Sequence, residues 1–162
     1  MSSTTVTTAL WFLPFITPIT LWVAWSDMKT MLIPNKAVMA LVAVFVLVGF
    51  FALPMDVYLW RYAHLVAILL LGFLMNMIGM IGAGDAKFAA AMAPFIARED
   101  TGEFAILFAA VLIATFALHR IVRRIPALRN TAPGWESWER KDFPMGLALG
   151  ASLFLYLVLA LI

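Results

Sequence analysis

Six apolar runs, at residues 6–25, 36–53, 62–81, 86–97, 104–119 and 145–162, make up most of this 162-residue chain. About 20 apolar residues carry a helix across the roughly 30 Å hydrocarbon core of a bilayer. Runs of that kind predict an all-α membrane protein of about six transmembrane helices. Proline and charge punctuate the gaps, as in Ile33-Pro34-Asn35, Pro54-Met55-Asp56 and Arg98-Glu99-Asp100. The run at 86–97 is the short one, since 12 positions cover only about 18 Å. It is read either as re-entrant or as extending into residues 98–103. Composition agrees: 65% of residues are hydrophobic and 12% charged, where a soluble domain is nearer half apolar and a quarter charged. Little is left beside the helices, so residues 1–162 read as a single polytopic domain.

The positive charges fix an expected orientation. With six crossings, one side receives Lys29, Lys36, Lys87, Arg120, Arg123, Arg124, Arg129, Arg140 and Lys141, and the other only Arg61 and Arg98. The positive-inside rule makes the first side cytoplasmic and places both termini outside, in the periplasm if the membrane is a bacterial inner membrane. Were the fourth run not to cross, all the arginines and the lysine from Arg120 to Lys141 would be stranded outside, which argues for six crossings. Trp11, Trp22, Trp25 and Trp60 fall near run ends, where amphipathic rings favour the headgroups. Residues 120–144 are basic, aromatic and broken by Pro126, Pro133 and Gly134, and read as lying along the inner leaflet.

Several chemistries drop out. The chain has no cysteine, which removes disulfides, thiolate nucleophiles and cysteine-held zinc. His64 and His119 are far apart, so no metal site is expected. The basic pI of about 9.2 is sorted by membrane side, which points to anionic lipid as partner and away from nucleic acid. Met1-Ser2-Ser3-Thr4-Thr5 carries no positive charge, so no cleaved secretory signal is expected.

Two aspartates stand out. Asp27 lies at the end of the first run, in Trp25-Ser26-Asp27-Met28-Lys29, and Asp85 just before the fourth, in Gly82-Ala83-Gly84-Asp85-Ala86-Lys87. Two crossings separate them, so both face the same, cytoplasmic, surface. Ionisable groups at a membrane boundary are costly and mark function. Two carboxyls at one depth suggest a pair that shares a proton and works on water. Each also has a plainer explanation. Asp85 suits the N-cap of the fourth helix, and Asp27 suits an ion pair with Lys29. Gly82 and Gly84 let a backbone approach closely, or simply break the helix. Pro34 biases Ile33 towards extended geometry, and Asn35 is placed to cap the second helix. Gly146 and Gly150 form a Gly-x-x-x-Gly pair whose default meaning is close helix packing. Asn76 reads as bonding a neighbouring helix, and His64 and the methionines as interfacial and core residues.

Together these pieces resemble the bacterial type IV prepilin peptidases, membrane aspartic proteases of the Gly-x-Gly-Asp type. The matching segments are Asp27-Met28-Lys29 with Ile33-Pro34-Asn35, then Gly82-Ala83-Gly84-Asp85-Ala86-Lys87, then Pro144-Met145-Gly146 leading to Gly150. The order and spacing fit over essentially the whole chain. Ala83 is a small departure, where the family often has a third glycine. The resemblance implies that Asp27 and Asp85 are the catalytic pair and that a prepilin leader is cut on the cytoplasmic side, typically after glycine. Longer members carry a cysteine-bearing insertion and a methyltransferase activity. This chain lacks that region and is similar to the short form of Flp-type, tight-adherence systems, for which no cofactor is expected. Prepilins or pseudopilins, and pilus-assembly machinery, are the implied partners.

The expected mechanism is general acid–base hydrolysis by a carboxyl pair that resists double ionisation. Lys29 and Lys87 are close enough in sequence to tune it, although snorkelling to lipid phosphate also explains them. Two rivals come from other classes. One is a small proton- or cation-coupled carrier or channel subunit, which would place its carboxyls near the bilayer midplane. The other is a secretion-assembly subunit without chemistry.

Overall fold

Thr5 starts the first helix, its Oγ1 accepting from the Thr8 N–H at 3.2 Å, and the chain then runs through Pro14 and Pro18 to Thr30 as α1 (Val6–Thr30). A computed structural model describes residues 4–162. The opening Met1-Ser2-Ser3, on which the reading of the amino-terminal sequence partly rests, lies outside the described residues. The helices that follow are α2 (Asn35–Ala52), α3 (Met55–Met77), α4 (Ala83–Met92), α5 (Thr101–Arg124), α6 (Pro126–Arg129), α7 (Glu136–Glu139) and α8 (Met145–Leu159). A 3-10 turn, Ala93–Phe95, extends α4. Among the described residues there is no strand, as expected of an all-α membrane protein.

Among the described residues four helices, α1, α2, α3 and α5, are long and apolar enough to cross a membrane. The apolar α8 is shorter, at 15 residues, and α4 has only 10. Several boundaries differ from the expected ones. Helix α3 occupies 55–77 rather than 62–81, because Pro54 starts it early and the turn around Gly79, with φ +74°, ends it. Trp60 and Arg61 therefore sit inside a helix. The 120–144 stretch is divided, as its prolines and Gly134 lead one to expect. Helix α5 continues to Arg124, and two single turns, α6 and α7, follow.

Packing relies on small residues, as it must where lipid removes most of the hydrophobic drive between helices. Helix α8 packs on α1, α3 on α4, α2 on α1, and α5 on α8. A Cβ added at Gly150 would come within 3.0 Å of the Thr20 carbonyl oxygen, and one at Gly72 within 3.0 Å of Ala86 Cβ. Those glycines set how closely α8 meets α1 and α3 meets α4.

One end of the bundle is fastened by aromatic and polar contacts. Phe95 meets the rings of Phe12 and Phe45 edge-on, at 4.9 and 5.4 Å between centroids. The buried Arg61 donates to the carbonyls of Pro94 and Phe95 at 3.0 and 3.1 Å. Tyr156 donates to Asp100 Oδ2 at 2.8 Å and accepts from the Ala97 N–H at 3.0 Å. Its hydroxyl also lies 2.6 Å from Thr4 Oγ1. With the Tyr156 proton committed to Asp100, the Thr4 hydroxyl is the donor in that pair. Thus α4 with its 3-10 turn, and α8, both finish at this one cluster.

Candidate active site

The other end gathers the sequence-selected residues. Asp27 lies within the last turn of α1 rather than beyond it, and is buried, with 5% of its surface exposed. Its Oδ2 accepts from the Gly146 N–H at 2.6 Å, at the start of α8. This is one of the four N–H groups that a helix leaves unpaired at its start. A Cβ at Gly146 would come within 3.0 Å of Asp27 Cβ and Oδ2, and within 3.1 Å of Val23. The Gly-x-x-x-Gly pair therefore does more than pack helices: Gly146 also seats Asp27, while Gly150 sits deeper against Thr20.

After Asp27 the chain turns sharply. Met31 adopts a left-handed conformation, φ 53°, and its N–H closes on the Asp27 carbonyl at 2.9 Å. A non-glycine residue there costs on the order of 1–2 kcal/mol. Ser26 Oγ helps to hold the turn by donating to the Leu32 carbonyl at 3.0 Å. The turn lays Ile33 against Gly84, where an added Cβ would meet Ile33 Cβ at 3.5 Å. That contact brings the Asp27 and Asp85 segments together.

Asp85 does not cap α4 as an N-cap. Gly82 is the N-cap, and Asp85 is the third residue of the first turn, reaching back to a backbone hydrogen bond with Gly82. This is the reciprocal half of a capping box. A Cβ at Gly82 would fall 2.7 Å from Asp85 Oδ2, so glycine leaves room for the carboxyl to fold back. Asp85 lies near enough to Asp27 for their charges to interact, and two such carboxyls resist double ionisation.

The remaining selected residues have distinct places. Asn35 does not cap α2, because Pro34 is the N-cap and no side-chain cap bond forms. Pro34 fixes the extended backbone there, and Asn35 instead offers Oδ1 to Lys87 Nζ at 3.5 Å. Lys29 is not paired with Asp27: its ammonium lies over the Trp25 ring, 4.8 Å from the centroid. Asn76 bonds the Ile81 carbonyl at 2.8 Å within the α3–α4 connection, not a neighbouring helix.

Sequence reasoning missed a cavity of about 380 Å³ that begins at Asp85 and runs between α3 and α5. Its lining residues, Ala89 and Ala93 among them, carry no motif and lie on helices that look uniformly apolar. Only the alanine spacing of four on α4 gave any signal.

A family model for the type IV leader peptidase family matches residues 14–118, well over half of the chain and including both aspartates. No curated protein and no solved structure matches the chain. Gly146 and Gly150 lie beyond the matched stretch, so the place of Gly146 beside Asp27 and of Gly150 against Thr20 rests on geometry alone.

Proposed function

The chain belongs to the type IV leader peptidase family, and on that premise we propose that it is an aspartic endopeptidase whose catalytic pair is Asp27 and Asp85. Its substrates are Flp-type prepilins, cut at the cytoplasmic face of the inner membrane. One observation carries the assignment: the turn after Asp27 lays Ile33 against Gly84, which brings carboxyls from two separate helices to one end of the bundle. Charge sorting supports six crossings, with α4 and its 3-10 turn as the fourth and α8 as the sixth. Both termini are then periplasmic, and Asp85 lies at the cytoplasmic mouth.

Two carboxyls side by side resist double ionisation, so the pair shares one proton. Asp27, whose Oδ2 accepts from the Gly146 N–H, serves as the charged partner, and Asp85 holds the shared proton. A water between them gives a proton to Asp27 as its oxygen attacks the scissile carbonyl. Asp85 protonates the carbonyl oxygen, giving a neutral tetrahedral diol. As the C–N bond breaks, Asp27 returns its proton to the leaving nitrogen and Asp85 recovers one from a diol hydroxyl. The products are a carboxyl on the leader and a new amino terminus, and the pair ends as it began.

A carrier or channel subunit would need its carboxyls near mid-depth, whereas these sit in the terminal turns of α1 and α4. The test is incubation of the purified protein, in detergent, with a peptide spanning a prepilin-like leader junction, followed by mass spectrometry. One cut after glycine is expected. An intact peptide after prolonged incubation would overturn the assignment.

A further inference from the structure

Near the end of α5 the ring of His119 is buried, with 3% of its surface exposed. It stacks on Trp138, 5.3 Å between centroids and 13° between planes, and Trp138 stacks in turn on Trp135 at 5.8 Å. Phe143 meets the same ring edge-on, its centroid 5.8 Å away at 78°. Both are arrangements that aromatic pairs favour. Neither ring nitrogen has a hydrogen-bond partner among the described residues, and the nearby Ser137 backbone falls outside hydrogen-bond geometry. What His119 supplies is therefore a flat ring. Two arginines of α5 grip the segment that carries those aromatics. Arg120 donates to the Lys141 carbonyl at 2.6 Å, and Arg123 to the Arg140 and Glu139 carbonyls at 2.7 and 3.3 Å. These bonds are exposed, where water competes for the same groups. The aromatic stack is the buried part of the grip, and α7 also packs on α1.

We propose that His119 is a positioning residue for Asp27: clasped by Trp138 and Phe143, it fixes where α8 begins and so where the Gly146 N–H meets the carboxylate. The inference rests on the peptidase reading and names a residue outside the pair on which its rate depends. The connection is short. Only Pro144 and Met145 separate Phe143 from Gly146, and each residue spans at most about 3.6 Å. Pro144 is buried with φ at −69°, a torsion its ring locks, so little slack absorbs a shift of Phe143. Gly146 leaves no slack either, since a Cβ there would stand 3.0 Å from Asp27. A displacement at the stack thus reaches the Asp27 seat.

The experiment uses the full chain in lipid nanodiscs. His119→Ala removes the ring, and His119→Phe keeps a flat ring without nitrogens. On a leader-junction peptide His119→Ala is expected to lower kcat about tenfold with KM little changed, as a misplaced group remote from the chemistry does. His119→Phe should restore most of that loss. With Gly146→Ala already present, adding His119→Ala should cost little more, because both act on one contact. Hydrogen exchange reads the seat without cleavage: His119→Ala should speed exchange at residues 144–148, and His119→Phe should not. His119→Phe as slow as His119→Ala, or full additivity with Gly146→Ala, would overturn the proposal. Exchange raised throughout the chain would make His119 a general packing residue and reject it too. Faster exchange confined to 144–148, in a protein that cuts no peptide, would keep the positioning and remove the peptidase reading.

Discussion

The Gly146 N–H donates to Asp27 Oδ2 at 2.6 Å across 119 residues of chain. An amide in the first turn of the last helix thereby fixes the carboxyl at the end of the first. The bond also occupies one of Asp27's acceptor sites. A carboxylate held in this way is preorganised, with little reorientation required when a proton moves.

Asp27→Asn and Asp85→Asn are each expected to lower cleavage of a leader-junction peptide by at least 10²–10⁴-fold, the usual worth of general acid–base catalysis. Asparagine keeps an oxygen for the Gly146 N–H, so the variants should insert and melt like the parent. Retention of more than a few per cent of the parental rate in either would remove that residue from the pair.

The proton on Asp85 should be visible directly. A carbodiimide attacks the protonated carboxyl, so labelling of Asp85 should fall as pH rises through its midpoint. Removing the Asp27 charge with Asp27→Asn relieves the repulsion between the two carboxyls, and the midpoint should then move down. Peptide mapping over a pH series reads both curves. An unchanged midpoint would mean that the two carboxyls do not interact.

Glycine substitutions should separate by what a Cβ would meet. Gly146→Ala faces Asp27 and Val23, and Gly150→Val faces the Thr20 backbone, all within about 3.1 Å. Overpacking of this kind costs about 1–3 kcal/mol, and Gly146→Ala should also slow cleavage by displacing Asp27. Gly102→Ala, in the first turn of α5 with nothing within 4 Å, should gain about 0.5–1 kcal/mol. Thermal melts of the three variants check the order.

The absence of cysteine from the chain makes topology simple to probe. Single cysteines at Thr30 and Lys141 should react with an impermeant maleimide only from the cytoplasmic face, and one at Asp56 only from outside. The reverse pattern would invert the bundle and the side of cleavage.

Much of this was legible in the residues. Hydrophobic length alone found α1, α2, α3 and α5, because a membrane helix must satisfy its backbone internally and its sequence shows it. The two aspartates were legible because a carboxyl at the edge of such a run has few structural excuses. Local capping rules worked less well. Asn35 and Asp85 both suited an N-cap, yet Pro34 and Gly82 took those places, since proline and glycine accept the extended N-cap backbone and free the neighbouring side chains for longer-range contacts. Arg61 was read as an external loop charge, but it is buried against the Pro94 and Phe95 carbonyls. Nothing local to Arg61 announces that contact, because its acceptors lie more than 30 residues away. Tyr156 is a similar case: its bonds reach Thr4 at one end of the chain and Ala97 and Asp100 in its middle, all more than 50 residues away.

The bond between Gly146 and Asp27 also has a consequence in time. Ribosomes deliver α1 to the membrane first and α8 last, so Asp27 is in place long before the amide that orients it. Through most of biogenesis the chain carries both carboxyls with one of them unseated. If Asp27 is catalytic as proposed, the nascent protein is a latent protease, armed only when its final helix docks, and half-made copies pose little hazard to the neighbours beside which they are inserted.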